Sequence, residues 1–310
     1  MNIDFAGKVA LVTGAGGGLG RAHALALAER GARILVNDRG GPVSGSTTDD
    51  DSPAASVVGE IERLGGEALA DGGDVTDPVA AEKMVAAALN RWGHVDILIN
   101  NAGILRDKSF AKVELADFRA VLDVHLMGAV HCTKAVWPHM VEQNYGRILM
   151  TTSASGLYGN FGQSNYGAAK AAVVGLMNVL AIEGEKRGIR VNALAPTAAT
   201  RMTEGLIDTD SFAELAPETI SPGALFLVSE NAPTKTVLAA GAGVFAVARM
   251  LESAGVYLPA DARSPEAVAE KWAEISDMTS AVVTASAFGQ TARYVEIAHR
   301  YGIGATKVDL

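Results

Sequence analysis

Residues Val9 to Gly20 read VALVTGAGGGLG, and this stretch decides the fold. Val9 to Thr13 is a short β-favouring run; Gly14, Gly16, Gly17, Gly18 and Gly20 follow within seven residues, and then RAHALALAER continues with helical character. A strand, a glycine-rich turn and a helix N-terminus together form an anion site. Backbone without Cβ atoms lets a diphosphate approach, and the helix dipole favours its charge. Tight turns also select glycine, so the assignment needs context. Asp38 supplies it, eighteen residues after Gly20 and at the end of the next apolar run, Arg33 to Asn37. A carboxylate there accepts hydrogen bonds from both ribose hydroxyls and repels a 2′-phosphate, which favours NAD over NADP. The neighbouring Arg39 pulls the other way, because a guanidinium can accommodate that phosphate.

Outward from this unit, short Val/Ile/Leu runs alternate with longer Ala-rich segments of helical period. Strands are predicted at Val9 to Thr13, Arg33 to Asn37, Glu67 to Asp71, Val95 to Asn100, Gly146 to Thr152, Ile189 to Ala193 and Thr236 to Gly241. Helices are predicted at Leu19 to Arg30, Pro53 to Leu64, Pro78 to Trp92, Glu114 to Val141 and Ser164 to Arg187. Pro53 and Pro78 sit at helix starts, where the missing N–H costs nothing. The strands lack polar alternation, as expected when helices cover both faces. The expectation is an α/β, Rossmann-type doubly wound parallel sheet of about seven strands, spanning residues 1–248 and including the substrate site. Residues 249–310 read as a helical extension, a lid or subunit contact, with a helix start at Ser264, Pro265 and Glu266. The acidic Gly40 to Ser52 loop reads as a solvated rim.

Composition narrows the classes. The 310 residues are 49% hydrophobic, 20% charged and 5% aromatic, a globular composition with an aliphatic core. The net charge of −9 opposes nonspecific nucleic-acid binding. No run of about 18 consecutive apolar residues suggests a membrane span. Cys132 is the single cysteine, so no internal disulfide forms. The N-terminal segment has no basic n-region and the chain ends in Val308, Asp309 and Leu310 rather than S-K-L, so the expected location is the cytoplasm.

A second constellation carries chemistry. Tyr166 and Lys170 in SNYGAAK are four apart, on one helix face. Ser153 lies just past the strand ending near Thr152, at the carboxyl edge where open α/β sheets bind ligands. A phenol near pKa 10 works at neutral pH only if positive charge stabilises its ionised form, and Lys170 provides that charge. Tyr166 then exchanges a proton with an alcohol while Ser153 holds the developing carbonyl oxygen. Taken alone, the pair also fits a core tyrosine and a snorkelling lysine.

Together, TGAGGGLG at Thr13 to Gly20, NNAG at Asn100 to Gly103, Ser153, and YxxxK at Tyr166 to Lys170 resemble the short-chain dehydrogenase/reductase pattern in order and spacing. The resemblance implies that Gly14, Gly18, Leu19 and Gly20 build the diphosphate loop. It also implies that Asp74 and Val75 flank the adenine, that Asn101 lies along the cofactor, and that Lys170, beside Tyr166, binds the nicotinamide ribose. VNDRGG at Val36 to Gly41, NNAGILRDKSF at Asn100 to Phe110, SASGLYGNFGQSNYGAAK at Ser153 to Lys170, APTAATRMT at Ala195 to Thr203 and GAGVFAVARM beyond Gly241 resemble a narrower group. That group is the (3R)-hydroxyacyl-CoA dehydrogenase domains of the peroxisomal multifunctional type 2 subfamily, some of which oxidise 17β-hydroxysteroids. The implied activity is NAD-dependent oxidation of a secondary alcohol on a 3-hydroxyacyl-CoA, or on a free steroid, by a stand-alone bacterial homodimer or homotetramer paired through its two long helices.

One position departs from the wider family, which places Asn on the central helix behind the Lys; this chain has His125 in DVHLMGAV. Its imidazole either relays a proton or hydrogen-bonds the main chain at a helix irregularity. His125, His131, Cys132 and His139 share one segment, but His131 and Cys132 face different ways, so no metal site is expected. A different class, a redox sensor that binds dinucleotide without turnover, has no use for Ser153, Tyr166 and Lys170 together.

Overall fold

The computed structural model describes residues 2–41, 52–198 and 214–302. The chain divides into two compact units, Met1–Ala248 and Arg249–Leu310.

In the first unit the predicted alternation becomes one sheet. Its strands are β1 (Val9–Thr13), β2 (Arg33–Asn37), β3 (Ala68–Asp71), β4 (Ile97–Asn100), β5 (Gly146–Thr151), β6 (Ile189–Pro196), β7 (Val237–Gly241) and β8 (Val244–Ala248), in the order β3-β2-β1-β4-β5-β6-β7-β8. Seven run parallel; β8 is antiparallel and pairs only with β7, from Val237 opposite Ala248 to Gly241 opposite Val244. The sheet therefore has eight strands where the sequence pattern predicts about seven. The missed hairpin turns on Ala242 and Gly243, both at positive φ, and alanine is a poor signal for that conformation.

The first-unit helices are α1 (Gly18–Ala28), α2 (Pro53–Arg63), α3 (Pro78–Trp92), α4 (Leu115–Leu122), α5 (Gly128–Gln143), α6 (Ala154–Tyr158), α7 (Ser164–Gly184) and α8 (Ser221–Val228). Strands β1, β4 and β5 are fully buried, and two apolar clusters lie on opposite faces of the sheet. One contains Ala10, Val12 and Leu27, the other Leu11, Leu98 and Ile148. The predicted single helix over Glu114 to Val141 is interrupted: Asp123–Met127 is a π-turn between α4 and α5. Such turns are rare and often mark functional positions. Helix α7 with its final turn, Ser164–Arg187, is apolar and long enough to cross a membrane by length and composition. Its inner face is buried in the core through Val173 and Met177.

The second unit contains α9 (Pro265–Glu270), α10 (Trp272–Ile275) and α11 (Ala287–Gly302). Ser264 caps α9, its hydroxyl accepting from Ala267 N at 3.1 Å, with Pro265 in the first turn. None of its described residues is buried. Polar contacts organise it: the Glu252 carboxylate accepts from Gln290 Nε2 and Tyr294 and pairs with Arg293, while Tyr257 stacks on Tyr301.

The sheet order reverses direction between β1 and β4, and the crevice outside the strand ends at that switch point is where such sheets bind ligands.

Candidate active site

The chain's glycines make a cradle at that crevice. Gly14 and Gly18 adopt φ of +63° and +53°. A Cβ on Gly20 would lie 2.3 Å from Gly14 O and 2.6 Å from Asn101 Nδ2, so α1 begins against bare backbone. The side-chain amide of Asn101 donates to Thr13 O and Gly14 O, each at 3.0 Å, and the Thr13 hydroxyl accepts from the backbone N of Asn101 and Ala102. Asn101 thus ties β4 to the glycine turn. Gly16, absent from the predicted set, has its own steric reason: a Cβ there would lie 2.8 Å from the Asp38 carboxylate and 2.5 Å from Pro53. Asp38 Oδ2 accepts from Gly16 N at 2.9 Å and Oδ1 from Gly40 N at 2.8 Å, so the loop itself fixes this carboxylate.

A cavity of about 720 Å³ runs along the cradle, lined by Gly14, Gly18, Leu19, Asp38, Asp74, Val75 and Asn101 among others. Gly20 stands behind the turn rather than in this lining. The donor set fits a dinucleotide: bare backbone and a helix start for the diphosphate, and a fixed carboxylate at the end of β2. Asn37, which sequence reasoning passed over, donates from Nδ2 to Asp71 Oδ1 at 2.6 Å and to Gly73 O at 2.9 Å, clamping β2 to β3 beside the mouth.

The acid–base set converges next to it. Ser153 is the N-cap of α6, its hydroxyl accepting from Ser155 N at 3.2 Å, and its side chain is near enough to Tyr166 to lower the phenol. Lys170 Nζ donates to Thr151 O at 2.6 Å and lies 5.5 Å from the centroid of the Tyr166 ring. The position of Lys170 is locked from both sides: Thr152 Oγ1 donates to its carbonyl at 2.6 Å, and a Cβ on Gly156 would meet its Cβ at 2.6 Å. Burial brings the Lys170 ammonium down from its usual range to about 7. Burial also pushes the Tyr166 phenol up; the Ser153 hydrogen bond pulls it down and the nearby Asp107 carboxylate pushes it further up. Asn165, also unanticipated, is fully buried at the start of α7, donating to Arg106 O at 3.0 Å while its oxygen accepts from Tyr166 N at 2.8 Å.

His125 sits in the π-turn, edge-on to Tyr166 with ring centroids 5.2 Å apart. Its Nε2 lies 2.8 Å from Ile104 O and 3.2 Å from Ile104 N, and a Cβ on Gly103 would fall 2.3 Å from its Cε1, so the ring fills the space over the NNAG turn. Desolvation and the Lys170 charge hold His125 well below its ordinary pKa, so it stays neutral. Its Nδ1, with Asn100 Oδ1 and Thr151 Oγ1, has no partner among the described groups. His125, Asn100, Thr151 and Lys170 line one cavity of about 10 Å³, the size of a single water. Val75, Ala102 and Val124 line both cavities, so the Lys170 side of the site adjoins the cradle; Ser153 and Tyr166 line neither.

His131 Nδ1 bonds Val75 O and Cys132 is buried; among the described residues no group of three metal-ligating side chains exists. The Ala195 to Thr203 motif lies largely outside the described residues from 199 onward, as do 42–51 of the acidic loop.

Comparison with known proteins agrees with this geometry. Residues 8–211 match the short chain dehydrogenase family model. The peroxisomal multifunctional enzyme type 2 of Mus musculus is 46% identical over 301 residues, covering 96% of this chain and 40% of that protein. A short-chain type dehydrogenase/reductase of Mycobacterium tuberculosis is 44% identical over 277 residues, 89% of this chain and 96% of that one. Among solved structures, 7α-hydroxysteroid dehydrogenase complexed with NADH and 7-oxo glycochenodeoxycholic acid matches with a TM-score of 0.70 and 32% identity, covering 78% of this chain and 96% of that one. The chain thus spans under half the length of the multifunctional relative and nearly the whole of the mycobacterial one. With the family's glycine turn, serine, tyrosine and lysine brought to one sheet edge, the chain is an enzyme of the short-chain dehydrogenase family.

Proposed function

We propose that this enzyme oxidises the secondary alcohol of a (3R)-3-hydroxyacyl-CoA to the ketone with NAD. The observation that carries the chemistry is the junction of Ser153, Tyr166 and Lys170 beside the glycine cradle. The dinucleotide, when bound, supplies the hydride acceptor. Gly14, Gly18 and Leu19, which line the cavity, would hold its diphosphate, with Gly20 behind them, and Asp38 would meet the ribose, the basis for preferring NAD. Ser153 donates to the substrate oxygen and keeps it beside the phenol. Tyr166 takes the alcohol proton in oxidation and returns it in reduction. Lys170 opposes the charge that develops on Tyr166, and its Nζ would bind the ribose when the dinucleotide is present. His125 fixes the Ile104 carbonyl and the edge of the Tyr166 ring.

The substrate class is supported by 46% identity to the multifunctional relative. A free steroid alcohol is the second reading, supported by the steroid complex of the structural neighbour. A homo-oligomeric assembly fits the apolar outer face of α7, where Val179 and Ile182 are exposed. The decisive pair of experiments is kinetic. Tyr166→Phe is expected to lower turnover by about 10² to 10⁴ with dinucleotide affinity retained, and unchanged turnover defeats the mechanism. Comparing kcat/KM for a straight-chain 3-hydroxyacyl-CoA, a steroid side-chain CoA ester and a free 17β-hydroxysteroid decides the substrate.

A further inference from the structure

The choice between the two dinucleotides involves more than Asp38. Arg39 follows it in sequence and lines the same cavity. A guanidinium so placed is a bidentate phosphate ligand, and its charge alone offsets that of Asp38. The structure shows the guanidinium engaged by a side chain. Arg39 Nη1 donates to Asp74 Oδ2 at 2.5 Å, across from the end of β2 to the segment after β3.

Asp74 is well placed to hold it. Its other oxygen, Oδ1, accepts from Thr76 N at 2.9 Å and from Thr76 Oγ1 at 2.8 Å, so the carboxylate cannot swing after a departing arginine. The Asn37 clamp to Asp71 and Gly73 fixes the spacing between the two strand ends that carry the pair. Thr76 and Arg39 both keep the Asp74 carboxyl below its usual range, against a desolvation effect of the opposite sign, so it remains a full negative charge throughout the neutral range. Asp38 and Asp74 are thus both held in place by hydrogen bonds, with the Arg39 guanidinium bound to Asp74. An arginine that turned to a phosphate would leave Asp74 without its charge partner.

We propose that Asp74 is a specificity-determining residue: by binding Arg39 it withholds the guanidinium from the ribose 2′ position, so that NADP is rejected by two carboxylates, one repelling its phosphate and the other holding back the cation that would bind it. The proposal rests on the NAD reading given above and adds a second residue to it.

The test is equilibrium binding of NADH and NADPH to the full-length protein, followed by nucleotide fluorescence, with thermal melts to confirm that each variant is folded. The variants are Asp38→Ala, Asp74→Asn, the double Asp38→Ala/Asp74→Asn, and that double with Arg39→Ala. Asn at 74 keeps an oxygen for Thr76 and removes the charge. The ratio of the NADPH to the NADH Kd is expected to fall by about fivefold on adding Asp74→Asn to Asp38→Ala, the scale of a partly exposed charge pair. Arg39→Ala should abolish that gain. The proposal is overturned if the ratio is the same in the Asp38→Ala single and double variants, or if the gain persists without Arg39. Equal affinity of the wild-type protein for both dinucleotides overturns the NAD reading instead; that result is separate from the coupling of residues 74 and 39, which the variants report.

Discussion

His23 ties the stability of the cradle helix to pH. It lies on α1, wholly buried, with Nδ1 2.9 Å from Ser221 Oγ on α8 and with Nε2 unpartnered among the described groups. Burial lowers its pKa from 6.5 to about 4. At pH 7.5 the imidazole is neutral in both folded and unfolded chains and the shift costs nothing. Below 6.5 the unfolded chain binds a proton that the folded chain refuses until about pH 4, so stability falls with pH across that window. With those two values the loss from this one group is about 2 kcal/mol at pH 5 and about 3 kcal/mol near pH 4. His23→Asn keeps a hydrogen-bonding group near the Nδ1 position and removes the titration. Urea unfolding of both proteins at pH 7.5, 6.5, 5.5 and 5.0, at one fixed protein concentration, gives the difference of differences, from which every other titrating group cancels. The wild-type protein should lose about 2 kcal/mol more than the variant between pH 7.5 and 5. Stability curves that stay parallel within about half a kcal/mol would refute the buried neutral histidine.

Gly20→Ala should weaken NADH binding by at least about tenfold and cost about 1–3 kcal/mol, because its Cβ meets the Gly14 carbonyl at 2.3 Å; fluorescence titration and urea curves report the two effects. Ser153→Ala should lower turnover by about 10² to 10³ and move the Tyr166 limb of the kcat/KM profile to higher pH, since the lost hydrogen bond is the one that lowers the phenol. His125→Ala removes the ring nitrogen beside Ile104 O and opens a void against Tyr166, so about 2–4 kcal/mol of stability should go. His125→Gln, which can still reach that carbonyl, should recover activity with an unchanged acidic limb; a displaced limb would instead make the imidazole a proton relay.

The parallel sheet was legible because its signals are local: apolar runs without polar alternation, glycines at Gly14 to Gly20, and prolines opening α2 and α3. The Ser153, Tyr166 and Lys170 set was legible because a four-residue helical spacing and a strand end fix three positions at once. What escaped depends on close approach in space. Gly16 reads as one more loop glycine until the Asp38 carboxylate is found against it, and Asn37 and Asn165 are ordinary polar residues until their long-range partners are known. The π-turn was legible only as one of two readings of His125, a bond to the main chain at a helix irregularity, because DVHLM continues a helical pattern on both sides and the contact to Ile104 lies 21 residues away. The eighth strand escaped because its turn uses alanine at positive φ.

The energetics of the Tyr166 and Lys170 pair explain why three residues are needed rather than two. Burial acts against both charges, bringing the Lys170 ammonium down to about 7 and pushing the Tyr166 phenol up, so an ionised phenol beside the ammonium forms against the desolvation of each partner. Attraction from Lys170, whose Nζ lies 5.5 Å from the ring centroid, favours the ionised phenol. A hydrogen bond from Ser153 to a charged oxygen adds about 1.5–3 kcal/mol. The opposing charge and the hydrogen bond both act against the desolvation that burial imposes, which is the direction a phenol needs to exchange a proton at neutral pH. Without Ser153 the phenol loses a hydrogen bond that lowers it, and without Lys170 it loses the opposing charge, so in either case burial acts on Tyr166 with less to offset it.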